Sequence, residues 1–429
     1  MVVAMWQQLS DGYMRLLIEP WIYLLMVGFV WVQYRRGEIM ERTSFGVKVN
    51  FADLEWMISV LYGVVGGILA SIVFWLLHVQ VGLVEIVSIW MIIVVLMLID
   101  VRLTCIAYAG PLFIVAAVIL QWLASTSGVL QVLWLRKVAD APTHFASLIM
   151  MVGVLHVMEG ILIFMGGWRG ASPLFVESRR GQVIGAFSLQ KFWAMPMVLG
   201  TAVGVVPFPV VIGFSTLTVG FIPKHAARLA ASPLVLYGVL VTVAGLLARG
   251  HMVWTILVAV FTLVLHELLY KWVQHKEMNA APLFVRPARG VRVLATILRS
   301  PARAVGLQPG DTMVKVGSMN VNSAYDIHFA IDQNPAYAKI EAVDLRGETR
   351  FLGTPIFEDD PHQLGVIMVP DEHAREYAEI YPFSAARWLF EWWRRRKTIG
   401  GTHGQRRRKR QSRQSQQHVV DKKSTVIDS

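Results

Sequence analysis

Two pairs of ionisable side chains lie inside long apolar stretches of this chain, where a charge is costly and usually serves a purpose. His156 and Glu159 are three residues apart, and His266 is followed directly by Glu267. Histidine and glutamate at such spacings could bind a metal ion or activate a water molecule for peptide hydrolysis. These four residues therefore form a candidate intramembrane polar site.

The spacing around these pairs argues against a zinc protease. Such an enzyme needs His-Glu-x-x-His on one helix, so that two imidazoles share a face beside the catalytic glutamate. Tyr270 stands where the second histidine would follow His266, and Gly160 follows Glu159 where an inverted motif needs histidine. The sequence also contains no nucleophile elbow and no phosphate-binding loop. We therefore predict a non-enzymatic protein with no catalytic residue, metal or cofactor, and a membrane-embedded metalloprotease is the alternative.

After the last apolar stretch, a short segment has the pattern of a half-buried strand followed by a turn. Val291 and Val293 alternate with Arg292, as expected when one face of a strand is buried. Gly290, just before them, lets another backbone come close. The run Pro309-Gly310-Asp311 predicts a turn, because proline presets φ and glycine accepts the strained position. These residues predict the start of a small α+β domain.

The helix expected next would place two apolar side chains on one face. Ser323 can cap its start, and Ile327 and Ile331 follow at i, i+4 spacing. With Ser300-Pro301-Ala302 and Gly306-Leu307 before the turn, the segment resembles a bacterial PDZ domain. PDZ domains bind peptides by adding a strand to an open sheet edge.

The resemblance implies a groove for a peptide or protein ligand between the first strand and this helix. The residues that would pair with the peptide or line its pocket are Gly290, Val291, Arg292, Val293, Ile327, His328 and Ile331. The alternative is a domain that packs only on its own chain, with its groove empty or filled by its own residues.

The composition indicates that this small domain is attached to a membrane. Of the 429 residues, 55% are hydrophobic and only 16% are charged, and the mean hydropathy is +0.52. The apolar residues fall in long blocks, which is typical of a polytopic α-helical membrane protein. The single cysteine, Cys105, excludes a disulfide framework. The first block begins near Leu16 without a cleavage site after it, so we expect it to remain as an anchor.

The apolar blocks predict seven or eight membrane spans. The seven clear ones are residues 16–34, 56–77, 82–99, 104–123, 145–165, 232–248 and 252–272. The block 195–223 is interrupted by Pro207 and Pro209, so it either crosses the membrane or dips into it and returns. The second alternative is favoured, because it puts most basic loop residues on the side of the basic C-terminus. Both alternatives predict that the C-terminal domain is cytoplasmic.

Three parts are therefore predicted: a polytopic α-helical membrane domain, a small α+β PDZ domain and a basic tail. Their expected bounds are residues 1–280, 281–370 and 371–429. A helix expected near 374–397 combines tryptophans with basic residues, as in helices that lie on anionic lipid, and the alternative is a helix packed on the PDZ domain. The run from Arg406 to Arg410 would also contact anionic lipid. The tail lacks the aromatic and groove-reading residues that specific nucleic-acid binding needs.

Two loop segments add a resemblance that covers most of the chain. Together with a multi-span region and one C-terminal PDZ domain, residues 171–176 and 185–193 resemble the MinJ-type family of cell-division topology determinants of Gram-positive rods. The resemblance implies a membrane-anchored adaptor at cell poles and septum. It also implies a DivIVA-like polar scaffold and a MinD-like division inhibitor as partners. A transporter-like protein with a regulatory PDZ domain is a further alternative, since a broken apolar block can be an unwound helix.

Overall fold

The computed structural model describes residues 2–126, 135, 137–138, 144–178, 180–201, 204–357 and 364–371. Of these described residues, those in 2–87 and 110–371 form one compact unit, and residues 88–109 belong to a second. In the second unit, Asp100 accepts a hydrogen bond from Arg102 N and caps a short 3-10 helix, Val101–Thr104. The predicted juxtamembrane helix and basic tail lie outside the described residues.

Most of the described chain before residue 172, and again from residue 223 to residue 279, is helical. The helices are α1 (Val2–Ile18), α2 (Trp21–Phe45), α3 (Ala52–Leu76), α4 (Leu83–Ile99), α5 (Ile106–Thr126), α6 (Phe145–Gly166), α7 (Pro223–Leu247) and α8 (Met252–Asn279). Among the described residues, α3, α5, α6, α7 and α8 are long and apolar enough to cross a membrane. A sixth candidate is the pair α1 and α2, bent by 70°, and α4 is a shorter apolar helix.

The apolar block 195–223 forms strands up to residue 218, which corrects the expectation that it could cross the membrane as an eighth span. It contains β3 (Val198–Thr201), β4 (Gly204–Pro207) and β5 (Val210–Thr218), and it follows β2 (Val183–Met195). β2 pairs antiparallel with β5, and β3 pairs with β4 beyond them. β1 (Ser172–Glu177) pairs with the other edge of β2. Prolines disfavour a helix interior and valines favour strands, so the local sequence agrees with this hairpin.

Two glycines of α3 make room for this hairpin. A Cβ at Gly67 would lie 2.5 Å from the Pro196 carbonyl oxygen, and a Cβ at Gly63 would overlap the Ala194 carbonyl oxygen. Because glycine has no side chain, an extended backbone can lie directly on the middle of the helix.

The hairpin also follows α3 from one end to the other. Near the start of α3, Lys191 Nζ lies 2.6 Å from Glu55 Oε2, and both side chains are largely buried. Beyond its other end, Gly200 of β3 accepts a hydrogen bond from Val81 N. A helix of 25 residues is about 37 Å long, which is comparable with the thickness of a bilayer.

Side chains of the helices form hydrogen bonds with backbone groups of the hairpin at the junction between β2 and β3. Ser71 Oγ accepts a hydrogen bond from Val198 N at 3.0 Å, and Tyr13 OH donates to the Pro196 carbonyl oxygen at 3.2 Å. Such partners are needed because a buried backbone group without a hydrogen bond is costly. The helices therefore provide both the space and the hydrogen bonds that an extended segment requires there.

After α8 the chain forms a compact strand-rich domain. Its elements are β6 (Val291–Thr296), α9 (Pro301–Ala304), β7 (Thr312–Val316), β8 (Met319–Asn320), α10 (Ala324–Gln333), β9 (Tyr337–Val343), β10 (Thr349–Pro355) and β11 (Val366–Met368). The strand order is β10-β9-β7-β6-β11, with β8 beside β7. Val293, Met313 and Ile331 belong to its core. The predicted strand, turn and capped helix are confirmed, since Gly310 adopts φ 98° and Ser323 forms a capping box at α10.

This domain is packed firmly against the β1-β2-β5 sheet. Phe284 and Leu294 are fully buried there, and the Phe284 ring lies 5.1 Å from the Phe187 ring in an edge-to-face contact. Gly185 N of β2 donates a hydrogen bond to the Phe284 carbonyl oxygen at 2.9 Å. Apolar packing and a backbone hydrogen bond thus fix the orientation of the domain on the sheet.

Candidate functional site

The strand predicted to bind a peptide, β6, has neighbours on both sides. β7 pairs with it at Val291 and Arg292, and β11 pairs with it between Val293 and Thr296. The Arg292 carbonyl oxygen also accepts a hydrogen bond from Val369 N at 3.0 Å. The open edge predicted on this strand is therefore closed by β11, which returns from much later in the chain.

Two of the residues predicted to pair with a peptide form hydrogen bonds within the protein instead. Gly290 adopts φ 83°, and its N–H donates to Asn322 Oδ1 at 2.9 Å. Arg292 Nη1 donates to the Leu283 carbonyl oxygen at 2.7 Å, and desolvation lowers the pKa of this guanidinium. Both residues therefore hold the linker and the first turn in place.

Among the described residues, the sheet has two edge strands, β10 and β11, and the second of them lies beside α10. Over the described residues β11 pairs only with β6, and a cavity of about 340 Å³ separates it from α10. The lining residues from this domain are apolar apart from one histidine: Ile297, Ile327, His328, Ile331, Leu364, Gly365, Val366, Ile367 and Met368. The three residues predicted to line a pocket from the helix are thus found beside a groove, but its strand is a different one.

β11 was not among the predicted strands, although its residues carry a signal. Leu364-Gly365 follows a polar segment and precedes four apolar residues, Val366 to Val369, as expected for a short buried strand. Gly365 adopts φ 71°, and a Cβ there would overlap the Ser300 side chain. Ser300 Oγ donates to the Gly365 carbonyl oxygen at 3.2 Å. This glycine therefore lets the chain turn into β11 while touching the loop before α9.

One side of the groove comes from the membrane-anchored part of the chain. Phe45 at the end of α2, Val47 after it and Phe175 of β1 line the same cavity. The Phe45 and Phe175 rings pack edge to face, with their centroids 5.3 Å apart. These three residues are termed the membrane-side wall.

A buried carboxylate holds this wall in place. Glu41, one turn before Phe45, is only 2% exposed. Its Oε1 accepts hydrogen bonds from Ser172 Oγ at 2.6 Å and Asn50 Nδ2 at 2.7 Å, and its Oε2 accepts from Val49 N at 2.8 Å and Asn50 N at 3.1 Å. Charge-assisted hydrogen bonds of this kind are strong. They tie the end of α2, the loop after it and β1 together.

The cap of α10 fixes the opposite side of the groove. Asp326 Oδ2 accepts hydrogen bonds from Asn322 N at 2.8 Å and Ser323 N at 2.9 Å, and Ser323 Oγ accepts one from Asp326 N. The backbone N–H of Asn322, first among these groups, lowers the pKa of the Asp326 carboxyl. The Asp326 carboxylate is therefore charged at neutral pH. Its contribution to the free energy of unfolding is lost only in acid, as the pH falls below the usual aspartate range.

Two cations approach one aromatic ring, Phe51, and are close in sequence to residues that line the groove. Arg299 adopts φ 61°, a conformation that side chains rarely adopt. Its guanidinium carbon lies 5.2 Å from the centre of the Phe51 ring, and Lys48 Nζ lies 5.5 Å from the same ring. Arg299 is two residues after Ile297, and Lys48 follows Val47, so both cations adjoin residues that line the cavity.

The predicted intramembrane site brings together two of its four residues. The rings of His156 on α6 and His266 on α8 lie 5.2 Å apart, and Tyr237 of α7 contacts both at 5.1 and 5.5 Å. Nδ1 of His156 lies 2.7 Å from the Val152 carbonyl oxygen, and Tyr237 OH donates to the Thr262 carbonyl oxygen at 3.1 Å. Edge-to-face rings of this kind stabilise packing between helices.

One glutamate of that predicted site lies on α6 and the other on α8. Glu267 Oε1 lies 3.4 Å from Lys271 Nζ, one turn along the same helix. Glu159 lies one turn after His156 on α6 and is partly exposed. A polar site formed by all four residues stays a prediction.

The fold and the groove together describe a protein built from two attached parts. It has a helical part that is apolar enough to lie in a membrane, and a strand-rich domain fixed to it. That domain presents a groove beside a free strand edge.

Known proteins with similar sequences share one description. The chain is 28% identical over 248 residues to the cell division topological determinant MinJ of Bacillus subtilis (strain 168), covering 52% of this chain and 62% of that protein. It is 27% identical over 262 residues to the probable cell division topological determinant MinJ of Lacticaseibacillus paracasei, covering 54% and 68%. No protein-family model matches the chain. These similarities support a MinJ-type protein, although the match spans less than two thirds of the Bacillus protein.

Proposed function

We propose that the chain is a membrane-anchored adaptor and that its strand-rich domain is a PDZ domain. The observation that carries the proposal is the free edge of β11 beside α10, with an apolar cavity between them. A peptide can add to such an edge as a further strand and place alternate side chains in the cavity. Ile327, His328 and Ile331 would contact those side chains from the helix.

In this proposal the adaptor positions proteins of the Min system during cell division. The names of its relatives, which describe topological determinants of cell division, support such a role. The proposed partners are a DivIVA-like polar scaffold and a MinD-like division inhibitor. Membrane attachment would assist the groove, because confinement to a surface raises the effective concentration for a second weak contact.

The proposed location is the cell membrane at the poles and the septum, with the C-terminal domain in the cytoplasm. The basic tail would contact anionic lipid and would bind no specific nucleic acid. The protein would act without catalysis. The cluster of His156, Tyr237 and His266 would serve as packing between three helices, which is consistent with its edge-to-face contacts.

Replacing Ile331 with glutamate is expected to abolish recruitment of the partner while the protein stays in the membrane. Ile331 is 3% exposed and packs beside the groove, so a charge there is strongly unfavourable. The membrane helices make no use of this residue. Fluorescent fusions of the polar scaffold and of the division inhibitor, observed in dividing cells, measure recruitment. Ile327→Glu is expected to give the same result.

A matched control places the same charge on the far side of the domain. Phe351 of β10 is 79% exposed and lies at the opposite edge of the sheet. Phe351→Glu is therefore expected to leave recruitment unchanged. Recruitment that survives both Ile327→Glu and Ile331→Glu would exclude the groove as the binding site.

A further inference from the structure

The membrane-side wall restricts which ligand sequences the groove can bind. A strand added to β11 projects successive side chains to opposite faces. One set would enter the pocket beside Ile327 and Ile331, and the other set would meet Phe45 and Phe175, which line the same cavity. Both surroundings are apolar. A ligand strand therefore needs apolar residues in both sets where it passes β11.

The wall is already formed before any ligand arrives. Gly46 adopts φ 71° and ends α2, so the chain turns sharply between Phe45 and Val47. Glu41 then fixes the following loop to β1 through four hydrogen bonds. Because the wall is preformed, a ligand gains contacts with it without the entropy loss of ordering the wall on binding.

The segment that touches the start of β11 through Ser300 carries only basic charges. Five arginines and no acidic residue lie between Glu277 and Asp311. Among them, Arg299 makes no ion pair with another described residue, and Ser300 beside it touches Gly365 at the start of β11. Lys48 approaches the Phe51 ring from the membrane-anchored part, and it already lies 3.9 Å from Glu38 Oε1, so Arg299 is the cation left for a ligand.

We propose that the ligand of the proposed groove is an extended protein segment with consecutive apolar residues and an acidic side chain at one end. Its apolar residues are held between α10 and the membrane-side wall, and its carboxylate pairs with Arg299. This inference rests on the proposed function and adds the ligand's chemistry and a second contact surface to it. Opposite charges at a rim favour the correct partner and speed its association.

The test is selection of a phage-displayed library of random octapeptides on the full chain in lipid nanodiscs. Ile331→Glu serves as the background. We expect peptides enriched on the unchanged protein to combine apolar runs with a flanking aspartate or glutamate. The highest-ranked peptide is then labelled, and its affinity for variants of the full chain is measured by fluorescence anisotropy.

Variants of the wall and rim separate this inference from the groove itself. Phe45→Ala with Phe175→Ala is expected to weaken binding about tenfold, as removal of a central aromatic contact does. Phe351→Ala removes an exposed phenylalanine outside the groove and is the matched control, so it should leave peptide binding unchanged. Arg299→Glu is expected to weaken binding at least tenfold at low salt, whereas Arg303→Glu, at another exposed arginine, should change it little.

Each outcome decides between the two proposals. Acidic, apolar peptides that depend on the wall and on Arg299 support the inference. Enriched peptides that lack acidic residues, or that bind equally well or better without the wall, overturn it and leave the peptide groove intact. If no peptide is enriched over the Ile331→Glu background, the proposed function fails and the inference fails with it.

Discussion

Replacing Gly63 with alanine is expected to lower the stability of the membrane-anchored part by about 3 kcal/mol, the upper range for overpacking a filled site. The new methyl group would overlap the Ala194 carbonyl oxygen, which is backbone and cannot rotate away. The hairpin of β2 and β5 would have to move off α3. Thermal unfolding of the purified protein in detergent is the measurement, and a lower midpoint is the expected result.

Gly28 offers a matched control in the neighbouring helix. An added Cβ there meets no atom within 4 Å. Alanine is the better helix former, so Gly28→Ala is expected to be neutral or stabilising by up to about 1 kcal/mol. Equal midpoints for Gly63→Ala and Gly28→Ala would contradict the close approach of the hairpin to α3.

Replacing Glu41 with alanine is expected to loosen the membrane-side wall and cost about 3 kcal/mol, because several buried donors lose their acceptor at once. The carboxylate accepts four hydrogen bonds, from Val49 N, Asn50 N, Asn50 Nδ2 and Ser172 Oγ. The loop after α2 should then exchange its amide hydrogens faster. Hydrogen exchange followed by mass spectrometry over residues 45–51 measures this directly.

Glutamine at the same position is the graded control. Glu41→Gln keeps one carbonyl oxygen as an acceptor, so about half of the loss is expected. Arg42, the next residue, is half exposed, and its buried partner Glu38 keeps ion pairs with Arg35 and Lys48, so Arg42→Ala should cost less than Glu41→Ala. An unchanged exchange rate in Glu41→Ala would show that the wall does not depend on this carboxylate.

The parts of the fold that could be predicted are those with local signals. The long apolar blocks gave the helices, because 20 or so consecutive apolar residues leave few other structures. Ser323 and Asp326 gave the start of α10 through the capping box, and Gly310 gave the turn before β7. Each of these features is decided by residues within one or two turns of each other.

The parts that could not be predicted depend on contacts between distant segments. The block 195–223 is as apolar as a span, and only the glycines of α3 reveal that a hairpin can lie against that helix. In the same way, nothing near Val291 indicates that Val366 and its neighbours return to cover that strand. The helix residues named in the prediction therefore line a cavity, but the strand beside that cavity is β11 and not β6.

The most direct measurement uses a photocrosslinker inside dividing cells. p-Benzoylphenylalanine replaces His328, which lines the groove, or Phe351, which is exposed at the far edge of the sheet. If β11 and α10 bind the partner, illumination should crosslink position 328 to the polar scaffold or to the division inhibitor. We expect no such crosslink from the control position 351, and none from position 328 when Ile331 is also replaced with glutamate. Crosslinks from position 351 alone, or from position 328 only to the protein's own chain, would contradict the proposed adaptor role.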